Sequence, residues 1–491
     1  MKKTVIILLI TVASFLLGFL RDLLIAKEFG LSWETDLIFV AMILPLFFEN
    51  FFGLALRDAM IPYLQRIRSE SEDQFILSSR WLYWRVMLFG LLVSLGAALG
   101  SPWVLKALAP GWTADQVNAG LLVFSVGAFL IFVQAILYCQ GALLSLDRIF
   151  ILPMARTVSM NLGAIIGIYA FYPSGIYLFA GMLIPQVILV FIQHQRIGYL
   201  TGRAIKGKLE SRGFEFVLSF APVLVAAGAQ QGCMLAERFF ASFLAEGSIS
   251  MLSFSYRIVT IPLTLYALSV LAVMFPDMAK SWADSEHDRF NAVSRKASLA
   301  TLLFLVPASV VLISFPEPVV KVLLERGAFG AAQTEATASL VVAYAIGLPW
   351  MGLALIWGRA LLAQQRGRTF LVITLISSGL TVLLDTVLYK THGADGLAYS
   401  LSIGFFIQAL CMAYFLHRAS PKGLSLTVLA RWTAAALVVT LAALYVAPQP
   451  GGIVELAVYI MVLLVCLLVC LVILGERDLF KRSYWTAVKT A

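Results

Sequence analysis

Apolar stretches long enough to cross a bilayer recur from one end of this chain to the other, beginning with "TVIILLITVASFLLGFL" at Thr4 and ending with "IVELAVYIMVLLVCLLVCLVILG" from Ile453. A run of about 20 apolar residues matches the hydrocarbon thickness only as an α-helix. The helix is also the open-chain form that satisfies its own backbone N–H and C=O groups where no water can. The 491 residues are 13% charged and 61% hydrophobic, against about a quarter charged in an ordinary soluble domain. The expected fold is therefore an all-α polytopic membrane protein, with no soluble catalytic module attached. The N-terminus imitates a signal peptide. However, no small-residue cleavage site follows its apolar core and more apolar sequence continues at once, so an uncleaved first span is expected.

Fourteen transmembrane helices are expected, near 4–27, 35–63, 79–105, 117–145, 151–172, 175–195, 214–244, 248–278, 296–324, 334–364, 369–389, 395–417, 426–446 and 452–474. Turn chemistry in "APGW", "YPSG", "THGADG" and "APQPGG" separates several of them. Basic residues cluster in alternate loops: Arg66, Arg68 and Arg80; Arg148; Arg196 to Arg212; Lys280 to Lys296; Arg366 and Arg368; Arg418 and Lys422; and the tail from Arg477. The opposite loops hold a scattering such as Lys106, Arg326 and Lys390. This is the positive-inside pattern. It puts both termini in the cytoplasm and accounts for the net charge of +9 without nucleic acid as a partner. The five cysteines, all within apolar runs, are expected to be core thiols rather than a metal site or disulfide.

The sequence also repeats itself. "AILYCQGALLSL" from Ala135 returns as "ALIWGRALLAQQ" from Ala354, an offset of 219, and "MIPYL" at Pro62 returns as "MFPDM" at Pro276, an offset of 214. The loops "LAPGWTADQ" and "LLERGAFGAAQ" are equivalently placed. Six spans followed by six related spans predict two six-helix lobes with pseudo-two-fold symmetry, residues 1–212 and 213–423, with two further helices and a tail in 424–491.

Ionisable residues inside spans cost a few kcal/mol each and are functional candidates by default. The first lobe holds Arg21, Asp22, Asp36, Glu49, Arg57 and Asp58, and the second holds Glu237, Arg238, Arg257, Arg359 and Asp385. The remaining helix interiors are nearly free of charge. Arg21 reads either as an interfacial flank or as a cavity residue. Adjacent residues point about 100° apart on a helix, so Arg21 and Asp22 are not expected to face each other, and at least one needs a partner elsewhere. Asp58 reads equally as a neutraliser of Arg57. Arginines converging from both lobes would make a cationic cavity, and the guanidinium fork matches phosphate oxygens bidentately. The expected cargo is anionic, a phosphate or diphosphate. No Walker-type G-x-x-x-x-G-K-[ST] segment is present, so direct ATP use is not expected. A drug antiporter on the same architecture would rely on carboxylates instead. An enzyme acting on lipid-linked sugars would be expected to carry acidic residues in a large extramembrane loop, and these loops are short and basic.

"GFLRDLLIAKEFG", "ETDLIFVAMILP", "ASFLAEGSISMLSFSYRIVTIP" and "LLERGAF" resemble the signatures of the MurJ/MviN family. That family flips lipid II, the undecaprenyl-diphosphate-linked peptidoglycan precursor, and belongs to the superfamily of polysaccharide-unit flippases and multidrug exporters. The resemblance implies a bacterial inner-membrane location, with membrane lipids, a lipid-linked glycan and cell-envelope biosynthesis proteins as partners. It implies two lobes in a V, a lipid-tail groove on the last two helices, and cavity roles for Arg21, Asp22, Asp36 and Arg257. Arg57 and Arg359 join that set from the charge pattern. Some members hold a sodium ion, and Glu237, Thr381 and Asp385 stand at the corresponding places; no other cofactor is implied. A solvated or lobe-stabilising pair of carboxylates is the alternative there. The chain departs from the family where two arginines usually follow Pro45: here stand Glu49 and Asn50, with Arg57 two turns along. Tyr256 also stands where an Asp commonly precedes Arg257. An exopolysaccharide repeat unit is therefore a second expected cargo.

Overall fold

The structure, a computed structural model, describes residues 2–171, 174–201, 228, 231–419, 426–446 and 452–474. Among these residues there is no strand, and twelve helical segments are long and apolar enough to cross a membrane. The helices are α1 (Lys2–Phe29), α2 (Trp33–Phe48), α3 (Leu54–Glu70), α4 (Glu72–Leu99), α5 (Ser101–Leu108), α6 (Ala114–Leu146), α7 (Ile151–Phe171), α8 (Gly175–Arg196), the short α9 (Gly198–Thr201) and α10 (231–241). They continue as α11 (Ser248–Ala283), α12 (His287–Ser314), α13 (Pro316–Leu324), α14 (Ala331–Ala363), α15 (Gly367–Ala419), α16 (Leu426–Val446) and α17 (Ile453–Ile473). The expected lobe boundaries at 212/213 and 423/424, and the start of the span expected at 214–244, lie outside the described residues.

Two compact units emerge, Met1–Ser250 with Arg326–Phe329, and Met251–Glu325 with Gly330–Ala491. In the first, α6 is the central element, packing against α2, α3, α4, α5, α7 and α8. Its start is set by a capping box: Gln116 N–H donates to Thr113 Oγ1, and Thr113 N–H donates back to Gln116 Oε1 at 3.0 Å. In the second unit α14 packs against α12, α13 and α15, and α12 also meets α16 and α17.

The internal repeat is visible helix by helix. α4 and α12 are both 28 residues long, α6 and α14 are both 33, and a short helix joins α4 to α6 (α5) as one joins α12 to α14 (α13). Even the helix stops correspond. α6 ends through Arg148 (φ 60) and α14 through Gln365 (φ 58), both left-handed. In each the next amide closes back on the last turn, Ile149 N–H to Leu144 O at 2.8 Å and Arg366 N–H to Leu361 O at 2.9 Å.

Three departures from the expected spans have local causes. The span expected at 79–105 ends earlier, at Leu99, and restarts as α5 behind Gly100. The "THGADG" turn shrinks to one residue: α15 is two helices meeting at Gly393, whose φ of 58° and ψ of −135° a side chain would resist. The second span is a single run, Trp33–Glu70, with a wide π-helical turn at Glu49–Gly53 that separates α2 from α3. Cys139 and Cys233 are buried as expected, whereas Cys466 faces outward and is exposed. Helix α17 packs on the rest of its unit along one side, leaving positions such as Val462 and Val465 open as well.

The α7–α8 crossing brings backbones into direct contact, because glycines line both sides. A Cβ on Gly163 would overlap Gly181 O, and one on Gly181 would overlap Gly163 O. Gly163→Leu is expected to destabilise by about 1–3 kcal/mol through overpacking, read as a lower melting temperature in detergent. Gly379→Leu, where no atom lies within 4 Å of the added carbon, is expected to leave the melting temperature unchanged.

Candidate functional site

Arg21 and Asp22 are buried, 5% and 4% exposed. Contrary to the sequence expectation, they pair with each other: Arg21 Nε and Nη2 both donate to Asp22 Oδ1, at 2.9 and 2.7 Å. The 100° offset separates their Cβ atoms, but the long arginine chain folds back across it. The expected partner on another helix is also present. Arg21 Nη1 donates to Asn161 Oδ1 on α7 at 3.0 Å, and Asn161 Nδ2 donates to Ser14 O at 3.2 Å. Arg21 is thus held by a carboxylate on its own helix and an amide from the fifth span.

Asp36, in the first turn of α2, is 3% exposed. Its Oδ2 accepts from Gly247 N–H at 2.8 Å, and its Oδ1 accepts from Ser250 N–H and Ser250 Oγ, both at 2.7 Å. These donors belong to the start of α11, where helix amides lack intrahelical partners and favour an anion. Both oxygens of Asp36 are therefore engaged by protein. In the same unit Arg326–Phe329, the end of the "LLERGAF" segment, closes on the end of α1: Ala328 N–H donates to Lys27 O at 2.7 Å. Gly327 takes φ 61, and a Cβ there would overlap Lys27 O, so only glycine fits.

From sequence alone α7 reads as uncharged in its interior, but it carries Arg156. Arg156 Nη2 donates to Glu49 Oε1 at 2.7 Å and to Tyr138 OH at 2.8 Å, and Nη1 donates to Gln134 Oε1 at 2.7 Å. Its guanidinium lies 4.3 Å from the centroid of the Tyr138 ring. Arg57, two turns beyond Glu49, is exposed. The side chain of Asp58 lies outside the described residues.

In the second unit Arg257 is half-buried on α11, next to Tyr256, whose ring meets Tyr344 edge-on at 5.5 Å. Arg359 is exposed on α14, its guanidinium 5.7 Å from the Phe275 ring centroid. Thr381 and Asp385 are buried on α15, 4% and 1% exposed, and Thr381 Oγ1 donates to Ser377 O at 3.0 Å. Glu237 belongs to the first unit, where Arg238 Nη1 donates to its Oε1 at 2.5 Å. Each unit thus carries arginines inside apolar helices. Planar donor forks held in low dielectric are suited to a phosphate-bearing ligand.

The family profile described as "Lipid II flippase MurJ" matches residues 25–484. The chain is 28% identical over 430 residues to the lipid II flippase MurJ of Thermosipho africanus, covering 83% of this chain and 84% of that one. It is 26% identical over 481 residues to the probable lipid II flippase MurJ of Bdellovibrio bacteriovorus, covering 92% and 90%. Among solved structures, an inward closed conformation of lipid II flippase MurJ superimposes with a TM-score of 0.81 at 21% identity, covering 96% of this chain and all of that one. An inward-facing multidrug transporter of the MATE family superimposes with a TM-score of 0.66 at 15% identity, covering 83% and 95%. These likenesses to solved structures show the fold.

Asp36→Ala removes three charge-assisted hydrogen bonds and leaves two buried amides unpaired. We expect it to lower stability by roughly 2–4 kcal/mol, measured by thermal unfolding. Asp36→Asn keeps an accepting carbonyl and is expected to lose less than half as much.

Proposed function

The chain belongs to the lipid II flippase MurJ family, and from that premise we propose that it carries an undecaprenyl-diphosphate-linked saccharide of the lipid II kind from the inner to the outer leaflet of the bacterial cytoplasmic membrane by alternating access. The family match makes it a flippase of lipid-linked precursors within a multi-pass membrane fold. The single observation that carries the finer reading is Arg21: a guanidinium 5% exposed within an apolar helix, held in place by Asp22 and Asn161. Holding a charge there costs a few kcal/mol, which a purely structural helix would avoid by using a leucine.

In this reading the diphosphate displaces Asp22 from Arg21. The carboxylate holds the fork open for an anion while no cargo is bound, and Asn161 keeps its plane oriented throughout. The phosphate oxygens offer Arg21 two parallel bonds, where Asp22 uses one oxygen. Arg257, in the second unit, is another cavity cation that the family resemblance implies. The saccharide stays in water while the polyprenyl chain stays in lipid, so the polar headgroup crosses without entering hydrocarbon. The basic loops set both termini in the cytoplasm. With no Walker-type segment in the sequence, the cycle runs on membrane potential or an ion gradient, and sodium is the ion proposed.

Arg21→Ala and Arg257→Ala are each expected to reduce flipping at least tenfold while the protein reaches the membrane at normal levels. The measurement is outer-leaflet exposure of lipid II in cells depleted of their own MurJ, with growth rescue by the parent chain as reference. Normal flipping by both variants would overturn the arginine-diphosphate reading. Failure of the parent chain to rescue, with normal expression, would favour the exopolysaccharide repeat unit.

A further inference from the structure

The second unit carries a cavity that the cycle above does not use. We propose that this cavity, between α14 and the break in α15, is a binding pocket for a saccharide, engaged through the sugar hydroxyls by Asp395, His392 and Tyr399. The pocket stands on its own geometry. That its natural ligand is the sugar of the lipid-linked cargo rests on the preceding reading and deepens it.

The cavity has a volume of about 550 Å³ and is lined by Ser339, Val342, His392, Asp395 and Tyr399, which is within the usual size of a small-molecule site. Helical spacing and one backbone break gather these residues. Ser339 and Val342 stand three apart on α14, and Asp395 and Tyr399 four apart on α15, so each pair shares a helix face. Gly393 breaks α15 between His392 and Asp395, and both side chains still line the one cavity. A Cβ at Gly393 would meet no atom within 4 Å, so the left-handed torsion, and not crowding, calls for glycine there.

The polar groups are held from outside the cavity and keep atoms for a ligand. Ser339 Oγ lies 2.8 Å from Asp395 Oδ1 and 2.9 Å from Ala336 O, so its one proton is shared between the helices. His392 Nδ1 lies 2.8 Å from Thr391 Oγ1, which steadies the ring. Among the described residues, no hydrogen bond engages Asp395 Oδ2, His392 Nε2 or the Tyr399 hydroxyl.

The lining selects the ligand class. No lysine or arginine is part of it and a carboxylate is, which disfavours a phosphate. A single half-exposed carboxylate is a weak holder of an ammonium ion, because solvent screens the pair. A neutral polyol uses every group present: its hydroxyls donate to Asp395 Oδ2 and pair in either sense with the imidazole and the phenol. Val342 and the Tyr399 ring offer apolar surface to the C–H face of a sugar. Asp395, His392 and Tyr399 are the binding residues, and Ser339 and Thr391 are positioning residues. The adjoining Lys390 belongs to the sparsely charged loops, which the charge pattern assigns to the outer side. A sugar bound here is held on the side to which the cargo is delivered.

The test is saturation-transfer NMR on the full chain in nanodiscs, with thermal unfolding in parallel. Chitobiose and maltose are the saccharide probes, ethanolamine the ammonium probe and glycerol phosphate the anion probe. The parent chain is expected to bind the saccharides in preference to the other two. Asp395→Asn is expected to weaken saccharide binding about tenfold and Tyr399→Phe about threefold. Lys390→Ala, beside the cavity but not lining it, is expected to change nothing. Tyr399→Phe keeps the ring and preserves the test if the Asp395 variant does not fold. Absence of saccharide binding to the parent, equal binding by the Asp395 and Tyr399 variants, or tighter binding of ethanolamine or glycerol phosphate overturns the pocket. Growth rescue of MurJ-depleted cells without saccharide binding means that the pocket alone fails. Saccharide binding lost in Asp395→Asn, in a chain that flips no lipid-linked glycan, upholds the pocket while the cargo reading fails.

Discussion

A charge placed inside an apolar helix costs several kcal/mol unless groups of the protein replace the water it gives up. Most of the polar architecture in the first unit answers that constraint. Arg21 is paired with Asp22 and Asn161, Arg156 with Glu49, Tyr138 and Gln134, and Asp36 with the amides at the start of α11. Helix α7 takes part in two of these three centres, carrying Asn161 toward Arg21 and Arg156 toward Glu49. The same helix packs closely on α8 through Gly163 and Gly181.

Arg21 and Arg156 share one arrangement. Each guanidinium meets a single oxygen of a carboxylate, Asp22 Oδ1 or Glu49 Oε1, and each is oriented by a neutral amide, Asn161 or Gln134. The amide leaves the charge unchanged and limits rotation of the fork. The carboxylate supplies the counter-charge. Asp36 contrasts with both: its oxygens face backbone amides at a helix start, where an anion is stabilising at rest and no cargo is required. Charge inside the same unit thus meets two kinds of partner, backbone amides at a helix start for Asp36 and side chains for Arg21 and Arg156.

Much of the fold was legible from residue chemistry. The span expected at 117–145 is α6 (Ala114–Leu146), and the repeat inferred from "AILYCQGALLSL" and "ALIWGRALLAQQ" reappears as α6 and α14 of equal length with matching stops. Where the reading missed, hydropathy was blind to a local backbone event. Apolar character runs on past Gly100, so the break before α5 leaves no trace in the pattern, and at Gly393 a turn-rich stretch stays helical on both sides. Arg21 stood out because it follows a long apolar run. Arg156 did not, since it lies a few residues into α7, where an arginine resembles an ordinary flanking charge. Asn161 carried no signal because it is uncharged.

The amino-acid sequence determined by itself that this chain is a membrane protein of long helices, that its first half recurs in its second, and that it carries arginines where hydrocarbon penalises them. Those properties follow from local composition measured against a bilayer of known thickness. Only the tertiary structure decided which group answers each charge, because the partners are remote in sequence: Arg21 and Asn161 lie 140 residues apart, and Arg156 and Glu49 lie 107 apart. Which helices come side by side is set by packing of whole surfaces, such as the glycine contact of α7 with α8, and no single stretch of sequence carries that information. Even the Arg21–Asp22 contact between neighbours needed the structure, because the reach of a flexible side chain is settled by the space its surroundings leave.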